Sequence, residues 1–339
     1  MKKTFRGKEL IPFLHNALRA EVNGQGELCV SRFTEFQLER YEEVGRELDY
    51  DFMPRTRASS GVTLDFYTDS ETLALTYSWE AVTAAEGLSL DLLVDGVFYE
   101  HFYKADARNM MAGFALPEGE HRVTLVFPWS CDFRLRSLTL GEGAKFRTLE
   151  EREGKRLRIL CLGDSITQGY YAERPAMTYA STVARNLNAE CLNQSIGGFL
   201  FEERVLDPVL KDWDPDLILL AYGTNDYGFS TGLNDYRERA AKFLEKLNAL
   251  FPNTKILGIM PIYRNDSNCF ARVCMKDYSI PESHQALREL YAHYPNVSVL
   301  EDSYYPHSPD FFAPDFLHPN DLGFQVYAAA VEKKIREIL

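Results

Sequence analysis

Leu157-Arg158-Ile159-Leu160-Cys161-Leu162-Gly163-Asp164-Ser165-Ile166-Thr167-Gln168-Gly169 is an apolar run cut off by a turn. A short apolar run of this kind reads as a strand buried on both faces. Gly163, Asp164 and Ser165 break it. Helical spacing follows, with Ala180, Val183, Ala184 and Leu187 on one face. A serine on the turn after a strand keeps its hydroxyl exposed, which suits a nucleophile. The same tripeptide also makes an ordinary turn with Ser165 as a helix N-cap, so the rest of the chain must decide.

Downstream, the strand–helix rhythm repeats. Strand candidates are Arg158–Leu162, Glu190–Asn193, Leu217–Tyr222, Ile256–Met260 and Val297–Leu300. Helical spacing recurs at Ala240, Phe243, Leu244 and Leu247, and again at Phe324, Tyr327, Ala328, Val331 and Ile335. Alternating strands and helices imply a parallel sheet covered on both faces. Arg264 to Tyr278 lacks periodicity and reads as a long loop near the site.

Upstream, the rhythm is all-β. Val62–Tyr67, Leu73–Tyr77, Leu88–Val94, Val123–Phe127 and Phe133–Leu140 alternate. Asp95-Gly96 between two apolar runs is a type I′ hairpin signal. Short strands separated by turns suggest a sandwich or jelly roll. Arg32 to Leu48 reads as a short strand followed by an irregular loop, and Lys145 to Arg156 as an exposed connector. The expected division is a β-sandwich or jelly-roll accessory domain over 1–148 and a catalytic α/β domain over 149–339.

The chain has 339 residues, ample for two cores, with 45% hydrophobic and 26% charged residues. The formal charge is −13, carried by both halves, which argues against nucleic acid or an anionic membrane as partner. Arg6, Lys8 and Glu9 interrupt any apolar core of an export signal. The expectation is a cytoplasmic protein with reduced thiols. Cys161 and Cys191 sit in strand-like runs and read as buried thiols; Cys269 and Cys274 share one loop-like stretch and could pair. Asp, Glu and His are scattered rather than spaced for a metal, so neither metal nor other cofactor is expected.

In parallel α/β sheets, ligands bind beyond the carboxyl ends of the strands. Four segments should meet there: Gly163-Asp164-Ser165, Asn193 to Gly198, Gly223-Thr224-Asn225-Asp226 and Asp315 to Asn320. Ser165 can attack a carbonyl if a base takes its proton, and His318 is a suitable base. Asp315, three residues earlier, can orient the imidazole. The N–H groups of Ser165 and Gly198 and the Asn225 amide can hold an oxyanion. Asp226 reads as structural. The other six histidines, His284 and His307 among them, have no partner legible in the sequence.

Ser165, Gly198, Asn225 and His318 resemble the blocks that define the SGNH, or GDSL, hydrolases. Gly-Asp-Ser-Ile is similar to the first block, Gly-Thr-Asn-Asp to the third and Asp315-Phe-Leu-His318 to the fifth. In the second block either Gly197 or Gly198 fits, and Gly198, five residues after Asn193, fits better. The resemblance covers residues 157–339. It implies a flavodoxin-like α/β/α domain and metal-free ester hydrolysis through an acyl-enzyme. A β-sandwich before such a domain resembles the layout of certain carbohydrate esterases. The expected substrate is a small O-acyl ester, O-acetyl on a carbohydrate above all. Alternatives are an acyltransferase, a short-chain lipase, or, from another class, a carbohydrate-binding protein with a relict site. The β domain could bind sugar, cover the site or form a homo-oligomer interface. Tyr170, Tyr171, Phe199, Tyr227, Tyr263 and Phe316 could stack on a sugar or shape an acyl pocket, or simply pack.

Overall fold

The computed structural model describes residues 2–83, 88–104, 110–264 and 277–339. They form two compact units. The first comprises Met1–Thr34, Met53–Arg156 and Glu173–Ala176; the second comprises Glu35–Phe52, Leu157–Ala172 and Met177–Leu339. Two segments therefore belong to the unit that their place in the sequence would not suggest. The chain leaves the first unit after Arg156 rather than after 148.

The first unit is an all-β sandwich of two antiparallel six-stranded sheets. Alternate residues of Thr72–Ala81 and Cys131–Glu142 in one sheet point inward, and so do those of Thr63–Thr68 and His121–Val126 in the other. Leu73, Leu75, Phe133, Leu135, Leu64, Phe66, Val123 and Leu125 meet in a single core. Leu88–Val94 and Val97–Lys104 form the hairpin at Asp95-Gly96, where both residues take positive φ, 50° and 76°, as a type I′ turn requires. The expected connector is partly built into this unit. Phe146–Thr148 pairs with Thr63–Thr68, and Thr148 caps the short helix Leu149–Glu153. Glu153 accepts a hydrogen bond from the Tyr67 hydroxyl at 2.6 Å and pairs with Arg122 at 3.3 Å, so this end of the segment is tied down rather than loose. Glu173–Ala176 joins the same unit: the Ala176 N–H donates to Asp91 at 3.0 Å, and the Arg174 guanidinium lies 4.2 Å from the Phe98 ring centre.

The second unit is a flavodoxin-like three-layer α/β/α domain. Its five parallel strands are ordered Glu190–Asn193, Arg158–Gly163, Leu217–Ala221, Lys255–Ile259 and Val297–Leu300, or 2-1-3-4-5 in chain order. The central strands read as uninterrupted apolar runs because both faces are covered; every residue of Leu217–Ala221 is buried. Right-handed crossovers send connections that run left and right across the sheet to opposite faces. Accordingly Tyr179–Asn186 packs with Asp321–Ile338, and Leu233–Leu250 packs with Ile280–Tyr291. The second strand lies on one side of the first and the third on the other, so the direction of the connections reverses there and opens a crevice at the carboxyl end of the first strand.

The sequence reading of 32–48 is overturned. Glu35–Leu48 is a 14-residue α-helix in the second unit. Its buried face is Gln37, Tyr41, Val44 and Gly45. Two of these four residues are not apolar, so hydrophobic spacing does not reveal the helix. Gln37 exchanges two amide hydrogen bonds with Gln194, at 3.0 and 2.9 Å, in the loop after the second strand of the sheet.

Cys161 and Cys191 are buried thiols on adjacent strands, with sulfurs 3.3 Å apart. Cys269, Cys274 and most of the expected loop, 265–276, lie outside the described residues. Among the described residues, no helix is long and apolar enough to cross a membrane.

Candidate active site

The strand Arg158–Gly163 ends where the short helix Ser165–Gln168 begins, with only Asp164 between them. Gly163 is required by that abruptness. A Cβ there would lie 2.2 Å from Thr167 Oγ1 and 3.2 Å from the Ala221 carbonyl. Asp164 caps the helix, accepting from the Ile166 N–H at 3.0 Å. Its carboxyl is fully buried, and that desolvation pushes its pKa up to about 6 against the opposing pull of the Ile166 N–H and of His318. The cap presents Ser165, 7% exposed, at the carboxyl end of the sheet.

The Ser165 hydroxyl lies 2.7 Å from His318 Nε2. On the far side of the ring, His318 Nδ1 lies 2.6 Å from Asp315 Oδ2. The other carboxylate oxygen of Asp315 accepts the backbone N–H groups of Leu317 and His318, each at 3.1 Å. Burial raises the Asp315 pKa, but the hydrogen bond and charge of His318 and these two N–H groups outweigh it and hold the carboxyl below its ordinary value. It is thus an ionised acceptor in a fixed ring of donors.

The loop carrying this pair is itself braced. Ala313 N–H donates to the His318 carbonyl at 2.8 Å, and Asn320 donates to the Asp310 and Phe312 carbonyls while capping the final helix at Gly323. Phe316 takes a left-handed φ of 54° between Asp315 and Leu317, the kind of local strain that concentrates at functional sites.

The remaining residues singled out in the sequence gather at the same edge. Gly198 has a φ of 83°, a conformation that favours glycine. A Cβ there would lie 2.9 Å from the Tyr50 hydroxyl. The Asn225 amide donates one N–H to the Phe199 carbonyl at 2.9 Å, which fixes its plane; the second N–H has no acceptor among the described residues. Asp226 faces inward. It is buried and accepts the Phe201 and Gly223 N–H groups at 2.9 and 3.0 Å, joining the second and third loops. Burial pushes its pKa up to about 7, and those N–H groups oppose the rise. Asn193 supports the second loop through the Thr167 carbonyl at 2.8 Å and the Ser195 N–H at 3.1 Å.

Residues 161–326 match the GDSL-like lipase/acylhydrolase family. The chain carries a GDSL-family domain. No curated protein sequence matches the chain. Solved structures share the fold over nearly the whole length. A salicylyl-acyltransferase from a tetracycline biosynthetic pathway aligns with TM-score 0.80 and 22% identity, covering 99% of this chain and 97% of the other. A GDSL-like lipase from Bacteroides ovatus gives TM-score 0.75 and 18% identity, covering 100% and 98%. A family two carbohydrate esterase from Cellvibrio japonicus gives 0.65 and 18%, covering 100% and 98%.

Contacts around the GDSL site go beyond those legible in the sequence, where Tyr170 and Tyr171 stood only as candidates for a sugar or acyl pocket. Tyr170 and Tyr171 both face the His318 imidazole, with ring centres at 5.6 and 5.3 Å. Tyr171 is 43% exposed and left-handed, φ 66°. Tyr50 reaches Gly198 from a distant part of the sequence, which no local pattern reveals. Gln168 accepts the Gly197 N–H at 2.7 Å. Four other histidines do have carboxylate partners: His101 with Asp91 and His121 with Asp95, both at 2.7 Å, His284 with Asp302 at 3.4 Å and His15 with Glu150 at 3.9 Å. His307 stacks on Tyr263 at 4.2 Å.

Proposed function

We propose that the protein is a serine esterase that cleaves small O-acyl esters, O-acetyl groups on a carbohydrate above all, through an acyl-enzyme. The observation that carries this reading is the continuous chain from Ser165 Oγ to His318 Nε2 at 2.7 Å and from His318 Nδ1 to Asp315 at 2.6 Å. Ser165 Oγ attacks the ester carbonyl carbon while its proton passes to His318 Nε2. Ionised Asp315 keeps Nδ1 protonated, so that Nε2 is the basic nitrogen, and stabilises the imidazolium. The oxyanion is held by the N–H groups of Ser165 and Gly198 and the second N–H of Asn225. Each such donor is worth about 100- to 1,000-fold in rate. His318 then returns the proton to the departing alcohol oxygen. Water repeats the sequence on the acyl-enzyme, and the free acid leaves.

Turnover of p-nitrophenyl acetate by the wild type and by Ser165→Ala tests the nucleophile. A fall of at least about 1,000-fold is expected; equal turnover refutes it. Acetate release from acetylated oligosaccharides, set against longer-chain esters, tests the substrate. A preference for chains of about eight carbons or more overturns the sugar-ester reading.

The same acyl-enzyme can pass its acyl group to an alcohol instead of water. A salicylyl-acyltransferase shares the fold, which makes product analysis with added acceptor alcohols worthwhile. Ester product in place of free acid would favour transfer.

A further inference from the structure

The second loop offers two adjacent glycines, and one side chain distinguishes them. The Gly197 N–H is taken by Gln168 Oε1 at 2.7 Å. The Gly198 N–H has no acceptor among the described residues. Gln168 is fully buried. It is the last residue of the four-residue helix that begins with Ser165, and its own N–H donates to the Asp164 carbonyl at 2.9 Å. Its carboxamide therefore runs from the turn that presents the nucleophile to the loop that presents the oxyanion donor. Side chains approach both glycines closely. A Cβ on Gly197 would lie 2.7 Å from the Tyr170 ring, and one on Gly198 would lie 2.9 Å from the Tyr50 hydroxyl.

We propose that Gln168 is a positioning residue that selects the oxyanion donor: by occupying the Gly197 N–H it fixes the peptide plane that aims the Gly198 N–H at the reacting oxygen. The proposal rests on the serine-esterase reading and deepens it. A buried N–H deprived of its acceptor must find another. The reacting carbonyl oxygen is the acceptor within the site, so without Gln168 the loop is free to turn Gly197 toward it and Gly198 away. A misplacement of about 1 Å in such a donor can cost on the order of 100-fold in rate.

Gln168→Met keeps the length of the side chain and removes the acceptor; Gln168→Glu keeps an acceptor oxygen. Both are assayed on p-nitrophenyl acetate for kcat and KM separately, and with a boronic acid that forms a tetrahedral adduct on the serine. For Gln168→Met the expected result is a fall in kcat of about 10- to 100-fold, KM within about threefold, and boronate affinity weakened by a similar factor as kcat. Gln168→Glu should stay within about tenfold of wild type. Wild-type kcat in Gln168→Met overturns the proposal. So does an equal fall in both variants, which would mark Gln168 as packing only. If Gln168→Met does not fold, Gln168→Glu decides alone: kcat within about tenfold supports the proposal and a loss of about 100-fold or more overturns it. An active Ser165→Ala would instead remove the esterase reading beneath it, whereas an inactive Ser165→Ala beside an unimpaired Gln168→Met would sink this proposal alone.

Discussion

Asp315→Asn is the most informative single change at the site. The side chain keeps its shape, and its Oδ1 can still accept the Leu317 and His318 N–H groups now at 3.1 Å. What changes is the atom 2.6 Å from His318 Nδ1, where a carboxylate oxygen gives way to an amide NH2. That group donates, so it faces a bare Nδ1 and drives the imidazole proton to Nε2. Nε2 then points a hydrogen at the Ser165 hydroxyl, 2.7 Å away, and cannot accept its proton. The effect is a wrong tautomer in an intact framework. The expected loss in kcat is about 1,000- to 10,000-fold, or about 4–5.5 kcal/mol of transition-state stabilisation. Stability should change by far less, because the lost charge-assisted bond, about 1.5–3 kcal/mol, is offset by no longer burying a charge. Stopped-flow turnover of p-nitrophenyl acetate gives kcat, and thermal unfolding monitored by circular dichroism checks the fold. A folded Asp315→Asn protein within about tenfold of wild type would refute the tautomer argument and leave backbone contacts as sufficient support for the histidine.

Two further outcomes follow from the same geometry. Asp164 and Asp226, with pKa values pushed up to about 6 and about 7 by burial, bind protons in the folded state that the unfolded chain, titrating near 4, has already lost. Their contribution to stability is therefore full at low pH and declines as pH rises toward 7, opposite in sign to that of Asp315, whose contribution is lost as pH falls below its depressed value. Denaturant unfolding between pH 5 and 8 should show a weaker pH dependence in Asp226→Asn than in wild type, and identical slopes would contradict the buried-carboxyl argument. Gly198→Ala should cost about 1–2 kcal/mol for its left-handed φ of 83° alone, and should lower kcat more than KM; a rise in KM with kcat unchanged would place Gly198 outside the oxyanion site.

Much of the catalytic unit is legible because its physics is local. Leu217–Ala221 must be apolar throughout to lie inside a covered parallel sheet, and it reads so. Phe324, Tyr327, Ala328, Val331 and Ile335, spaced for one helix face, are all buried in Asp321–Ile338. Asp315 and His318 are three residues apart and meet within one loop. What the sequence hides depends on distance or on polar burial. Helix Glu35–Leu48 buries Gln37 through an amide pair with Gln194, 157 positions away, so its inward face is not wholly apolar. The Gly197 N–H is taken by Gln168, a side chain 29 residues earlier, a contact that no local pattern shows. Thr148–Glu153 looks like a charged linker until Tyr67 and Arg122 supply partners for Glu153.

Residues 35–52 come early in the sequence yet belong to the second unit, bringing Gln37 to the second loop and Tyr50 to Gly198. The GDSL-family unit is therefore not a cassette that a single recombination event can cut out and paste. A chain starting after Arg156 would leave behind the helix whose Gln37 holds the loop after the second strand of the sheet through Gln194. Shuffling of the β half, exchange of one sandwich for another, or loss of it altogether would have to spare that helix. Such discontinuity ties the inheritance of the two halves together, whatever each half binds.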